Sequence, residues 1–441
     1  MKRPIVPAPP VWDFPSPRTA QLDNGLRVLI FQRPGQHLIN ATLVLELPLS
    51  AEPRDREGVS AILQRCLDEG TASHPGTDFA DELEGCGAVL VGGTGYAAAH
   101  LSLEVPSTRF GTALPLFAEA VREPQLADAD VRRHVELRLA ELAQEEAHPS
   151  HRGAIAFRAS VIDSEYRAAR SASGDATGVG AITADDVRAQ HQAHYGPERG
   201  TLVLAGDFGG DDPLPAVVAA FGDWRQPTVP ISHEVPRSAP ARALLIDRPG
   251  AVQADVRLGR FGIDRRHPDY AALRLGGFVL GGGFLSRLNR VLREERGYTY
   301  GVQLANSPAR SGGLLAMHAS FRTEVAAAAI AEASELLRVD GDRRITGAEL
   351  TDAVNFLVGI APLRCATASG IADQAAALVE AGLDTDFVNT HSAALRQVTP
   401  EAATEAIERH LPLDDLSLVV VGDAEALAEP LRSAGLQLDL S

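Results

Sequence analysis

Arg293 and Tyr300 are the two residues of this chain whose types and spacing could do chemistry together. A guanidinium and a phenol both donate hydrogen bonds to a peptide carbonyl, or to the oxyanion that forms when that carbonyl is attacked. They sit in the stretch GGGFLSRLNRVLREERGYTYGV, which runs from Gly281 to Val302. The three leading glycines permit positive φ and leave the main chain open to close approach. Phe284, Leu285, Leu288, Val291 and Leu292 recur at helical spacing, Gly297 suits a helix stop, and Tyr298 to Val302 reads as the start of a strand. The expected order is glycine loop, short helix, turn and strand. Arg293 then leaves the helix near its end, Tyr300 follows the turn, and both converge on one point. The plainer alternative is a surface arginine and a strand tyrosine packed on its neighbour, the commoner fate of a tyrosine.

The elements that must position this pair belong to a repeated pattern. Residues 1 to 18 form a proline-rich lead-in, expected to lie over the surface. A turn at Asn24-Gly25 introduces a strand to Ile30, Arg33-Pro34-Gly35 is a second turn, and Ala41 to Leu49 is an apolar strand. Helices are expected over about 57–69, 79–85, 112–122 and 129–146, with two strands between Ala88 and Val105. Ile182-Thr183-Ala184-Asp185-Asp186 is a capped start for a helix running to His194, followed by a strand from Thr201 to Asp207. The same order returns near the end of the chain. Val398-Thr399-Pro400 opens a helix to His410, and Leu416 to Asp423 is the strand. Positions 206 and 422, 182 and 398, and 194 and 410 all differ by 216, and Arg248-Pro249-Gly250 repeats Arg33-Pro34-Gly35 at an offset of 215.

Four aligned features imply a duplicated unit. The expected architecture is α+β: two homologous domains in tandem, each a mostly antiparallel sheet packed with helices. The boundaries are 1–222 and 242–441, joined by a linker over 223–241 that carries Pro227, Pro230, Pro236 and Pro240. A chain of 441 residues is long for one core, which agrees with two domains.

Composition narrows the partners. A formal charge of −17 argues against nucleic acid or an anionic membrane surface, both of which need a concentrated basic face. Cys66, Cys86 and Cys365 are widely spaced and make no Cys-x-x-Cys pair, so reduced thiols in a cytoplasmic setting are expected. The N-terminus has no continuous apolar core of the signal-peptide kind, and no run of about 18 apolar residues could span a membrane.

The run from Gly281 to Val302 resembles the C-domain signature of the pitrilysin and mitochondrial-processing-peptidase family, zinc peptidases with an inverted His-x-x-Glu-His motif. The resemblance extends over nearly the whole chain from Thr19, including LDNGLRVLI in the first half and ELTDAVNFLVGIAPLRCATASGIADQAAALVEAG in the second. It implies two similar domains facing each other around a peptide-sized chamber. It also implies that Arg293 and Tyr300 bind and polarise the substrate carbonyl. In that family a helix presents His, Glu and His on one face: the imidazoles hold Zn²⁺ and the Glu takes a proton from metal-bound water. A second Glu, about 76 residues on, completes the site.

Aligned through Gly58 and Gly70-Thr71, those positions are occupied here by Ala61, Gln64 and Arg65, with Glu141 in the place of the last ligand. Ala61 has no lone pair for a metal. Gln64 has the shape of Glu but cannot act as a base near neutral pH. Arg65 is permanently cationic and repels Zn²⁺. Glu141 is expected either on a helix surface or paired with Arg65. The chain is therefore expected to hold no metal at this site and to need no cofactor of its own.

No other constellation replaces the missing ligands. Glu145, Glu146, His148 and His151 cluster, but Pro149 breaks the helix and is expected to leave both histidines in a loop. His37, His100, His191, His194 and His233 show no ligand spacing, and no Gly-x-Ser-x-Gly, P-loop or dinucleotide fingerprint is present. The resemblance implies a zinc-free subunit of a heterodimeric peptidase that cuts peptides or precursors, with zinc in a homologous partner bearing His-x-x-Glu-His. The alternative is a non-enzymatic scaffold or peptide-binding protein of the same fold, to which an extended peptide could add along an exposed sheet edge.

Overall fold

A computed structural model describes residues 9–440. Twelve strands form two six-stranded sheets. The first contains β1 (Arg18–Gln21), β2 (Arg27–Gln32), β3 (Leu38–Leu45), β4 (Val89–Thr94), β5 (Ala99–Pro106) and β6 (Gly200–Gly206), in the order β1-β2-β6-β3-β5-β4. The second contains β7 (Ala243–Asp247), β8 (Gln253–Gly262), β9 (Val302–Pro308), β10 (Gly313–Arg322), β11 (Ser417–Gly422) and β12 (Leu438–Leu440), in the order β12-β7-β11-β8-β10-β9. Read from the second strand inward, the two orders are the same. Most neighbours are antiparallel. The exceptions are β2 beside β6 in the first sheet, and β7 beside β11 and β12 in the second.

The repeat seen in the sequence is carried down to single hydrogen bonds. Arg33 N donates to Gly206 O at 2.7 Å, and Arg248 N donates to Gly422 O at 2.8 Å. Gly35 N donates to Asp207 at 2.7 Å, and Gly250 N donates to Asp423 at 2.8 Å. Both glycines turn through positive φ, 83° and 72°, where a side chain would be strained. The copies differ at their outer strands. β1 precedes its neighbour and runs antiparallel to it, whereas β12 arrives from the chain end and runs parallel.

The helix starts follow from their capping residues. Thr183 and Asp186 form a capping box for Ala184–His194, and Thr399 caps Pro400–His410. One apolar core spans Leu22 to Trp224 and the other Leu245 to Leu431. Trp224 thus packs into the first core although it lies in the segment assigned to the linker. The lead-in also does more than lie over the surface. Phe14 is buried against Phe31, and its backbone N–H bonds to Asn389 at 2.7 Å. The part of the lead-in before Pro9 lies outside the described residues.

Two helices cross between the halves. Pro149–Val161, from the first half, packs Phe157 and Val161 against Ile246, Val419 and Val421 of the second sheet. Ala368–Glu380, from the second half, packs Ile371, Ala372 and Ala375 against Leu29, Phe31, Val203 and Ala205 of the first. A cleft of about 500 Å³ lies between that helix and β3 to β5, lined by Thr42, His100, Ser102, Asp373 and Glu380. Among the described residues no single helix is long and apolar enough to cross a membrane.

One buried histidine is expected to make the second domain acid-sensitive. His391 lies flat against Phe387 (centroids 5.4 Å apart) with Tyr270 4.9 Å away, and Arg274 Nη1 is 2.9 Å from its Nε2. Burial, then the Arg274 and Arg265 charges, hold its pKa down to about 3. A group depressed in the fold contributes stability above its unfolded pKa of about 6.5 and loses it as pH falls towards the folded value. Urea unfolding is therefore expected to lose about 2 kcal/mol between about pH 7 and pH 4.5 through this residue alone. His391→Gln, neutral throughout, should remove that share of the slope; an unchanged slope would assign the acid sensitivity elsewhere.

Candidate functional site

The first half of the site is the helix Val59–Cys66, packed under the first sheet and beside the helices Asp128–Ala147 and Ala184–His194. Its start is held by Glu52, whose carboxylate accepts from the backbone N–H of Gly58 (3.3 Å) and Ser60 (3.0 Å). Spacing of i, i+3 and i+4 puts Ala61, Gln64 and Arg65 on one face.

Arg65 and Glu141 form a two-pronged ion pair: Nη1 to Oε1 at 2.8 Å and Nη2 to Oε2 at 2.7 Å. Arg138 adds a bond from Nη1 to Glu141 Oε2 at 3.0 Å and reaches on to Glu145. Bonds from Arg65, and then Arg138, push the Glu141 carboxyl down to about 2. Of the two expectations for Glu141, a bare helix surface or a pair with Arg65, the second holds. Gln64 is buried and donates from Nε2 to the hydroxyl of the fully buried Tyr195, while its Oε1 has no partner among the described residues. Burial pushes the Tyr195 phenol up, so it stays protonated. These residues do not fit a zinc ion. One position has no donor, the base position is a neutral amide, and a guanidinium already satisfies the only carboxylate.

His148 lies in the non-helical break between two helices, as expected, but His151 departs from expectation. Pro149 ends the preceding helix but also occupies the first turn of Pro149–Val161, as its fixed φ allows. His151 is therefore helical and lies 3.0 Å from Glu145.

The second half is the glycine stretch, and it differs from its sequence reading in several ways. None of Gly281, Gly282 and Gly283 has positive φ. Gly281 is needed for closeness instead: a Cβ there would come within 2.6 Å of Leu304 Cβ and 2.9 Å of Leu288 Cδ1. Phe284 and Leu285 lie outside the helix, in a turn, and are 73% and 71% exposed, whereas Leu288 and Leu292 are buried. The segment Asn289–Glu295 is a π-helix rather than an α-helix. Asn289 braces it, with Nδ2 donating to Gly283 O (3.1 Å) and Val302 O (2.8 Å) and Oδ1 accepting from Val302 N (2.9 Å). Gly297, at φ 62°, ends the helix as expected. Tyr298 to Gly301 form a turn held by the Thr299 hydroxyl, and β9 starts only at Val302.

Arg293 and Tyr300 are not joined by any hydrogen bond among the described residues. The Arg293 guanidinium lies 3.8 Å above the Phe284 ring, donates from Nη2 to Phe284 O at 3.1 Å and bonds Glu294 through Nε at 2.9 Å. Tyr300 is 95% exposed, and its hydroxyl makes no hydrogen bond among the described residues. Within the chain the arginine is anchored on Phe284, and the phenol stands in solvent. Beside them Phe278, Phe284, Leu285, Phe356 and Leu363 line an apolar groove of about 880 Å³.

Two models of one peptidase family match the chain in tandem. The one described as insulinase, peptidase family M16, covers residues 27–167, and the one described as peptidase M16 inactive domain covers 181–357. The chain belongs to peptidase family M16. An uncharacterized zinc protease of Mycobacterium bovis is 26% identical over 430 residues, 95% of this chain and 96% of that protein. A non-peptidase homolog of Helicobacter pylori is 22% identical over 377 residues, 85% of this chain and 86% of that protein. Among solved structures, a peptidase M16 inactive domain from Pseudomonas fluorescens superposes with a TM-score of 0.85 at 25% identity, covering 92% of this chain and 98% of that one. A protease from Helicobacter pylori, at 16% identity, shares the fold with a TM-score of 0.83 over 93% and 100% of the two chains. Within M16 this chain is a member without the zinc site, because its donors at that site are spent or missing.

Proposed function

We propose that the chain is the zinc-free subunit of a two-chain M16 peptidase. It binds the substrate peptide and steadies its carbonyl for a homologous partner that carries His-x-x-Glu-His. The observation that carries this reading is the contrast between the two half-sites. Arg65 and Glu141 neutralise each other where the family holds metal, while Tyr300, at the family's carbonyl-binding position, offers its hydroxyl to solvent with no hydrogen bond among the described residues. Arg293 is in a π-helix, a form that is often kept for functional segments. Its Nη1 makes no hydrogen bond among the described residues. A cytoplasmic setting and a peptide or precursor substrate belong to the same proposal.

The test is reconstitution. The purified chain, a zinc-bearing M16 chain from the same genome, and their mixture are assayed on a quenched fluorescent peptide set. Cleavage is expected from the mixture at a rate well above the sum of the two. Full activity of the zinc-bearing chain alone, with no increase on mixing, would rule the role out. A second reading, a non-enzymatic scaffold or peptide binder, is favoured by the relative named a non-peptidase homolog. It predicts a complex, or peptide binding, with no cleavage in any mixture.

A further inference from the structure

Outside both half-sites, the fold brings His267, Asp269 and His410 together, with one donor atom from each lying within 4.8 Å of the other two. We propose that these three side chains form a divalent transition-metal site, suited to Zn²⁺. It is separate from the position where the family holds its zinc, and the proposal does not rest on the two-subunit reading.

Two helices set the geometry. Asp269 immediately precedes Tyr270–Gly277, and His410 is the last residue of Pro400–His410. The helices pack through Leu273, Leu275, Ala403, Ala406 and Ile407 in the second core, which fixes where their ends meet. Asp269 makes no capping bond with its side chain, although it stands at the capping position. Its carboxylate turns instead to His410 Nε2 at 2.8 Å and to Arg409. The rings of His267 and His410 meet edge to face with centroids 5.0 Å apart, and His267 Nδ1 accepts from Asp269 N at 3.1 Å. All three residues are half-buried, so the site is reachable from solvent yet held.

Two imidazoles and one carboxylate match the donor set of borderline cations such as Zn²⁺ and not that of Mg²⁺ or Ca²⁺, which take oxygen. Tetrahedral zinc with bonds of about 2.0–2.2 Å places its ligand atoms roughly 3.3–3.6 Å apart. Small side-chain rotations reach that spacing, opening the 2.8 Å contact between His410 and Asp269 and bringing His267, within 4.8 Å, closer. Three protein ligands leave the fourth position to water. The present counter-ion of Asp269 is Arg409, more than half exposed and able to swing into solvent when a dication takes its place.

The full-length chain, stripped with chelator, is titrated with zinc chloride by calorimetry and with cobalt chloride by its visible absorption. One ion per chain is expected. His267→Ala and His410→Ala should each weaken binding by roughly tenfold or more. Arg409→Ala should tighten it by removing the competing cation, and Arg65→Ala and Glu141→Ala should leave it unchanged. Circular dichroism checks that each variant is folded. Zinc bound equally well by both histidine variants, or not bound by the native chain, would overturn the site.

Discussion

Arg293→Ala and Tyr300→Phe are each expected to lower kcat of the reconstituted pair by ~10²–10³, the loss typical of one oxyanion donor, with complex formation intact. The loss should appear in kcat more than in KM, because a donor aimed at a developing oxyanion strengthens in the transition state and adds little to ground-state binding. The two variants differ in their side effects. Tyr300 is 95% exposed and its hydroxyl makes no hydrogen bond among the described residues, so removing that hydroxyl should leave the fold untouched. Arg293 is stacked on Phe284, so Arg293→Ala also frees that ring, and Arg293→Lys is the better companion. Lysine keeps the charge but loses the planar fork, and rescue should be slight. Native rates in both Arg293→Lys and Tyr300→Phe, with assembly confirmed by gel filtration, would remove the carbonyl-binding role and leave the scaffold reading in place.

Glu52→Ala is the substitution expected to cost the fold most. The Glu52 carboxylate is 0% exposed and its partner Arg167 is 4% exposed, with Nη2 to Oε2 at 3.0 Å and Nε to Oε2 at 3.2 Å. The same carboxylate caps the helix that carries Gln64 and Arg65. Among the described residues the Arg167 guanidinium donates elsewhere only to the carbonyls of Ser171 (2.8 Å) and Ala172 (3.2 Å). The nearest remaining carboxylate, Glu57, is 3.7 Å away and already serves Arg170. Breaking a buried pair from one side leaves an uncompensated charge, at ~3–5 kcal/mol. With ~2–4 °C of Tm per kcal/mol in domains of this size, a fall of roughly 10 °C is expected. Arg338→Ala is the control, since it removes an exposed pair on one helix end worth less than ~1 kcal/mol. Thermal unfolding followed by circular dichroism separates the two, and equal small shifts would show that the Glu52 pair contributes no more than a surface contact.

The duplication was legible in the sequence because its marks are residues with narrow backbone roles. Arg33-Pro34-Gly35 and Thr183-Ala184-Asp185-Asp186 can do little else than turn and cap, so their echoes at Arg248 and Thr399 pointed to shared structure. The emptied metal site was legible for a similar reason, since Ala61, Gln64 and Arg65 each fail a definite chemical requirement. The Gln64 bond to Tyr195 was not, because nothing in the spacing of two residues 131 apart says they meet. The π-helix at Asn289–Glu295 was hidden too: over seven residues an apolar stripe does not distinguish one helical period from another, and Phe284 and Leu285 were wrongly counted into it. His267, Asp269 and His410 escaped because Asp269 and His410 lie 141 residues apart.

The two crossing helices carry a consequence for how the chain can be made. Each half lends the other a lid, so neither copy of the repeat is self-sufficient. Residues 1–222 produced by themselves would show Leu29, Phe31, Val203 and Ala205 to water and would uncover the side of Phe157 and Val161 that packs on Ile246, Val419 and Val421. At ~1.5–3 kcal/mol for each large side chain left bare, that loss rivals the ~5–15 kcal/mol by which a domain outlasts its unfolded state. Either half expressed singly is expected to pellet. The two synthesised together as separate polypeptides should recover a soluble complex through mutual complementation, read by co-purification on a tag carried by one of them.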